Sequence, residues 1–210
     1  MLSDTFFIFI GLSFGLSFIS FKSFLVNDQK RQYFKLFVLV VIGTLNSKLI
    51  FHFISSGDQL SLNGGFVFLG FLFPFFIHWV TMGKTKENIK FYQSLGIALP
   101  LGHAIGRLGC FFNYCCFGVI SGFDVRLVEA IFLFSICATN SHVARSDKRF
   151  SFYVVTYSIY RFFIEFFRQD TIRGSVGNLS TSQVLSMIII FTLLVKKFFE
   201  QTFQERKALT

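Results

Sequence analysis

Apolar residues run along the chain in seven stretches separated by short polar connections. The stretches lie at approximately Thr5–Val26, Phe34–Ile54, Gly64–Val80, Phe91–Phe117, Val125–Ala138, Phe150–Phe167 and Thr181–Val195. Most approach the ~20 residues that carry a helix across the hydrocarbon core of a bilayer, the fifth being shorter. The pattern predicts an all-α, polytopic membrane protein of about seven transmembrane helices, forming a single integral membrane domain over residues 1–210. The first stretch does not read as a cleavable signal. Met1, Leu2, Ser3 and Asp4 provide no basic leader, and Asn27, Asp28 and Gln29 no small-residue cleavage site.

Composition narrows the class. Of the 210 residues 53% are hydrophobic and 15% charged, against roughly a quarter charged in a soluble domain. That excludes a disordered chain, a secreted disulfide scaffold and a nucleic-acid-binding module, so no nucleic-acid partner is expected despite the net charge of +9. The 34 phenylalanines carry no functional reading at this level.

The placement of the basic residues is more informative than their sum. Lys22, Lys30, Arg31 and Lys35 flank the first connection; Lys84, Lys86 and Lys90 lie at the third; Arg145, Lys148 and Arg149 at the fifth; Lys196, Lys197, Arg206 and Lys207 follow the last stretch. The connections between carry few. By the positive-inside rule the N-terminus is expected outside and the C-terminus in the cytoplasm. Fourteen of the twenty basic residues are explained this way.

Lys48, Arg107, Arg126, Arg161, Arg168 and Arg173 are left over, and Glu129 and Glu165 also sit in or near apolar stretches. An ionised side chain inside a membrane costs several kcal/mol and faces a cavity or a partner. With a helical rise of 1.5 Å, Lys48, Arg107 and Glu165 fall about 21–24 Å from the cytoplasmic ends of their helices and Arg161 about 16 Å. Glu129 falls about one turn inside the outer end of the fifth. All five converge on the middle or outer half of the membrane. Arg161, Glu165 and Arg168 share one face, and His103, Arg107, Cys110 and Tyr114 make another stripe. Guanidinium groups facing one cavity suit an anionic headgroup, because arginine stays charged and grips phosphate with two donors. The same residues also read as structural ion pairs, Arg107 with Glu129 and Arg161 with Glu165.

Gly11 and Gly15, and Gly102 and Gly106, are spaced for close helix packing. Pro74 and Pro100 are expected to kink the helices that line a cavity. Cys110, Cys115 and Cys116 cluster near one helix end. Buried thiols, a disulfide, and a reactive or metal-bound thiol all stay open for them, with Cys137 apart. His52 and His78 read as interfacial and His142 as a loop residue.

The segment 100–118, PLGHAIGRLGCFFNYCCFG, resembles the bacterial prolipoprotein diacylglyceryl transferases, in particular paralogues with a Gly-Arg-x-Gly-Cys-Phe…Cys-Cys-x-Gly signature. RLVE at 126–129, YRFFIEFFRQD at 160–170 and LSTSQ at 179–183, followed by Ser186, are similar to further family segments in the same order. Agreement runs from about Gly43 to Ser186. The resemblance implies seven helices in the bacterial cytoplasmic (inner) membrane and a role in lipoprotein biosynthesis. It further implies transfer of a diacylglyceryl group from phosphatidylglycerol, or a related anionic phospholipid, to the thiol of a lipobox prolipoprotein, with no cofactor. Carried onto this chain, Arg107 and Arg161 would hold the phosphate and stabilise the leaving glycerol phosphate, and Glu129 and Glu165 would orient them. Lys48 and Phe51 stand where the family has an arginine and a nearby tyrosine, Cys110 where it has an asparagine, and Cys115 where it has an acid. Leu69-Gly70-Phe71-Leu72 stands at its His-Gly-Gly-Leu motif. With leucine at the histidine position, His103 and Glu165 are the candidates for the base; His103 also reads as a polar packing residue. The expected catalytic set is His103, Arg107, Arg161 and Glu165, with Lys48, Arg107, Glu129, Arg161 and Arg168 binding substrate. A non-catalytic lipid-binding or assembly protein and a small-solute transporter are the competing classes, although no internal repeat is visible.

Overall fold

A computed structural model describes residues 4–24, 29–54, 74–82, 86–113, 118–120, 122–142, 148–167, 175–176 and 179–208. Among these the chain forms seven α-helices: α1 (Asp4–Phe24), α2 (Gln29–Ile54), α3 (74–82), α4 (Lys86–Phe112), α5 (Val125–His142), α6 (Arg149–Ile164) and α7 (Thr181–Ala208). A 3₁₀ turn, Glu165–Phe167, continues α6. Two antiparallel hairpins join the last helices: β1 (Val119–Ile120) with β2 (Phe123–Asp124), and β3 (Ser175–Val176) with β4 (Leu179–Ser180). Gly122 closes the first hairpin at φ +84°, a left-handed conformation that other residues adopt only at a cost.

α4 is the central element. Its first half is nearly all buried, with Phe91, Tyr92, Leu95 and Ala98 packed against Phe21 of α1, Leu39 of α2, Phe75 of α3 and Phe150 of α6. Phe21 meets Phe91 edge-on at 5.6 Å, and Trp79 meets Phe150 at 5.1 Å, geometries that aromatic quadrupoles favour. Large apolar side chains elsewhere face outward: Phe14 on α1, Phe34 and Phe37 on α2, Ile131 on α5, Phe163 on α6 and Phe191 on α7. Much of the phenylalanine content is therefore surface, suited to a lipid solvent rather than to water. Within α4, Asn88–Phe112 is long and apolar enough to cross a membrane, and Ile8–Ser23 and Ser182–Val195 are shorter apolar helices.

Small residues set the α1–α4 contact, but not at the expected spacing. A Cβ on Gly102 would lie 2.1 Å from Ser17 Oγ, and one on Gly109 would lie 2.8 Å from Phe9 Cβ. Gly11, Gly15 and Gly106 have open space around the same position. The working pair is thus Gly102 and Gly109, two turns apart, the first received by Ser13 and Ser17 and the second by Phe9; Ser13 Oγ also donates to the Gly102 carbonyl at 2.7 Å.

Pro100 sits inside α4, which continues through it. Lacking an N–H, it cannot serve the carbonyl of Gly96. Asn140 of α5, fully buried, donates instead from Nδ2 to Gly96 O at 2.7 Å and to Arg149 O at 3.1 Å. A Cβ on Gly96 would stand 2.7 Å from the backbone of Arg149 and Phe150, so α4, α5 and the start of α6 meet at this level.

Helix ends depart from the hydropathic boundaries where side chains intervene. α4 stops at Phe112 rather than Phe117. Both the backbone and the side-chain nitrogen of Asn113 donate to Gly109 O, at 3.1 and 2.8 Å. The backbone bond is the ordinary helical one; the side-chain bond shares its acceptor and competes with helix continuation. Tyr114, Cys115 and Cys116 lie outside the described residues, as does most of the third stretch, with Leu69. α5 runs one turn beyond Ala138, making His142 its last residue, and α7 extends well past Val195. α5 begins on Asp124, whose carboxylate accepts from Arg126 N and Nε, both at 2.8 Å. Arg126 Nη1 reaches the Cys110 carbonyl at 3.2 Å and ties the hairpin to the end of α4.

Two tests follow from these joints. Asn140→Ala should destabilise the protein by about 1–3 kcal/mol, the cost of leaving a buried carbonyl unserved. In a Pro100→Ala background, where residue 100 regains its N–H, the same change should cost clearly less; detergent unfolding of the four proteins reads the coupling. Separately, hydrogen bonds from the Arg126 side chain hold the Asp124 carboxyl below its ordinary value of 3.8. A depressed carboxylate stabilises above its unfolded pKa and stops doing so as pH falls through the folded one. Unfolding below about pH 4 should therefore depend less on Asp124→Asn than unfolding at pH 7.

Candidate functional site

The site forms where α4, α5, α6 and the start of α7 meet. Glu129 stands one turn into α5, with its side chain 1% exposed. Arg107 reaches it from α4, Nη2 lying 2.9 Å from Oε1. Arg161 faces it from α6, Nη1 lying 3.8 Å from Oε2. Arg161 Nη2 also pairs with Glu165 Oε2 at 3.1 Å and donates to Ser182 Oγ at 3.1 Å. Two cations from different helices thus converge on one buried carboxylate, and a second carboxylate steadies one of them.

Local structure explains why the groups point inward. Arg161 and Glu165 are one turn apart, and the pair survives although the helix tightens into the 3₁₀ turn at Glu165. Ser182 is held by a capping box at the start of α7. Gln183 N donates to Ser180 Oγ at 3.2 Å, and Ser180 N donates to Gln183 Oε1 at 2.9 Å.

A chain of aromatic hydroxyls backs the cluster. Tyr157 OH donates to Glu129 Oε1 at 2.8 Å and lies 3.3 Å from His103 Nε2. His103 Nδ1 lies 3.3 Å from Tyr153 OH. The imidazole meets the Tyr157 ring edge-on at 4.7 Å. Tyr160, the next tyrosine on α6, stacks on Phe132 of α5 at 3.9 Å.

Of the residues expected from sequence, His103, Arg107, Glu129, Arg161 and Glu165 are brought together. Lys48 stands on α2 with its side chain outside the described residues, and Arg168 lies outside them altogether. Cys110 contributes its backbone carbonyl to Arg126, and Cys137 lies apart, its thiol 3.7 Å from Ile97 O. Sequence reasoning missed Tyr153, Tyr157 and Ser182. The first two were within reach: Tyr153, Tyr157, Arg161 and Glu165 recur at intervals of four, one stripe of α6.

The accessible side of this cluster is cationic. Arg107 and Arg161 side chains keep 14% and 12% exposure against 1% for Glu129. Such an arrangement can receive an anion at two guanidinium groups whose positions a buried carboxylate fixes beforehand.

The profile of the family described as LGT, prolipoprotein diacylglyceryl transferase, matches residues 5–198. The chain belongs to the prolipoprotein diacylglyceryl transferase family. It is 28% identical to a Clostridium perfringens protein named phosphatidylglycerol–prolipoprotein diacylglyceryl transferase 2, over 86% of this chain and 86% of that one. It is 27% identical to the Clostridium tetani phosphatidylglycerol–prolipoprotein diacylglyceryl transferase, over 76% of this chain and 75% of the relative. A relative of the same name from Finegoldia magna is 35% identical over half of each chain. No solved structure gives a significant match. Among the described residues the chain is nearly all helical, and its family is one of bacterial membrane transferases.

Glu129→Gln provides the test of the cluster. It keeps the shape and the bond from Tyr157 but removes the charge that two arginines share. Breaking a buried pair this way should cost about 3–5 kcal/mol, measured by unfolding in detergent.

Proposed function

We propose that this protein transfers a diacylglyceryl group from phosphatidylglycerol to the cysteine thiol of a lipobox prolipoprotein. It does so in the bacterial inner membrane, as a multi-pass protein of about seven spans with the N-terminus outside and the C-terminus in the cytoplasm. The observation that carries the reading is the pair Arg107 and Arg161 held on one buried carboxylate, Glu129. The names of the relatives support the substrates, and the alternating basic connections support the orientation. Membership of a transferase family favours this reading over the binding-protein and transporter classes.

In the reaction the thiol sulfur attacks the glycerol carbon of the diacylglycerol moiety. A sulfur–carbon bond forms, the carbon–oxygen bond to phosphate breaks, the electron pair leaves on glycerol phosphate, and the thiol proton is released to solvent. The phosphoryl group gains a negative charge as it departs. Arg107 and Arg161 counter that charge best if their donors are already aimed at it, as those fixed by Glu129 and Glu165 are. Arg107, Arg161 and Glu165 form the catalytic set of this proposal, and His103 stands behind it as a positioning residue. Lys48, Glu129 and Arg168 complete the headgroup site together with the two arginines. His103 serves the transfer through Tyr157.

Purified protein supplied with labelled phosphatidylglycerol and a lipobox peptide should release glycerol phosphate and yield a lipidated peptide. Arg107→Lys and Arg161→Lys keep the charge but lose the planar fork, and each should lower turnover about tenfold or more. Undiminished release in both variants would remove the proposed phosphate site.

A further inference from the structure

The hydrogen bonds around His103 dictate where its proton sits. Tyr157 OH is 2.8 Å from Glu129 Oε1, and Glu129 is ion-paired to Arg107 at 2.9 Å. An ionised carboxylate only accepts, so the single phenolic proton of Tyr157 is committed to it. Toward His103 the Tyr157 oxygen is then left as an acceptor. The partner 3.3 Å away, Nε2, must carry a hydrogen. This holds whether or not Nδ1 is also protonated. In the neutral ring Nδ1 accepts from the Tyr153 hydroxyl, also 3.3 Å away. The donors then point one way: Tyr153 to His103, His103 to Tyr157, Tyr157 to Glu129.

We propose that His103 is a positioning residue. It is a fixed Nε2–H donor that holds the Tyr157 hydroxyl on Glu129, and through Glu129 sets the spacing of Arg107 and Arg161 for a phosphate. The ring nitrogen nearer the cluster already bears a proton and does not take one from the acceptor thiol. The other is aimed at Tyr153, which is 4% exposed and out of reach of a bulky acceptor. Among the described residues, the ionisable groups facing the ring include Arg107 from its own helix, Glu129 from α5, and Tyr153, Tyr157 and Arg161 from α6. Together they form one ordered network across three helices. Nothing in it requires His103 to change charge during turnover. The activity readout for this inference rests on the transferase reading; the proton position does not.

Two substitutions separate the roles. Gln in His103→Gln presents an amide N–H toward Tyr157 and a carbonyl toward Tyr153, the donor and acceptor of the neutral ring, but cannot titrate. His103→Phe keeps an aromatic ring against Tyr157 and has neither. The full-length protein in lipid nanodiscs should release glycerol phosphate at a rate within about threefold of wild type as His103→Gln. It should lose about tenfold or more as His103→Phe, the cost of misplacing a preorganised group. The pH profile of His103→Gln should match wild type from pH 6 to 9. Equal losses of about 10²-fold in both variants, with a changed acidic limb for Gln, would make His103 the base and overturn the proposal. Wild-type turnover in His103→Phe would make it packing alone and overturn it equally. ¹⁵N-histidine NMR of the wild-type chain reads the proton directly, the His103 signals being those lost in His103→Gln. Nε2 bearing a hydrogen is the expected result, and a bare Nε2 refutes the inference. That spectrum decides the matter even if wild type releases no glycerol phosphate, a result that would instead count against the transferase reading.

Discussion

The buried carboxylate of Glu129 is the constraint on which the site depends. It lies on α5, yet its partners come from α4 and α6, so three helices must arrive at one point for its charge to be compensated. A carboxylate so enclosed destabilises any arrangement that leaves it alone. The requirement therefore acts on packing as well as on chemistry. Gly102 and Gly109 let α4 settle against α1, with His103 and Arg107 on the stretch between them, and Gly96 lets α6 cross α4. Geometry that serves an anionic substrate is thereby also geometry that the fold needs for itself.

The two halves of α4 are specialised differently. Residues before Pro100 build the aromatic core, where burial and ring packing dominate. Residues after it carry His103 and Arg107 into the polar cluster, pack on α1 through Gly102 and Gly109, and meet a small second core around Ala104, Leu133 and Tyr153. Segregating the functions in this way keeps the ionisable groups away from the densest packing. It also places them near the end of the helix, where Arg126, pinned by Asp124, braces the Cys110 carbonyl.

The ionisable part of the site was legible in the sequence because charge inside an apolar run has few explanations. Arg107, Glu129, Arg161 and Glu165 stand out for that reason, and the structure joins all four. The phenols did not stand out, since tyrosines in an aromatic-rich chain are unremarkable one at a time and only their spacing to Arg161 marks Tyr153 and Tyr157. Ser182 lies in the LSTSQ segment that carries part of the resemblance, but its contact with Arg161 depends on a capping box that fixes the first turn of α7, which spacing does not show. Glycine spacing misled in part, because a small residue matters only where another helix arrives, and hydropathy does not show where that is. Helix ends drifted for a related reason, Asn113 closing α4 within a still apolar run.

Pro100 has a mechanical consequence. Because Gly96 is served from α5 by Asn140, the helix around the proline is held by a bond that comes from outside α4. Arg107 lies seven residues beyond the proline, a lever of about 10 Å, so a bend of about six degrees there shifts its backbone by about 1 Å. Displacements of that size are enough to spoil a reacting geometry. A single amide side chain, a helix away from any substrate, thus sets the aim of a phosphate-binding arginine.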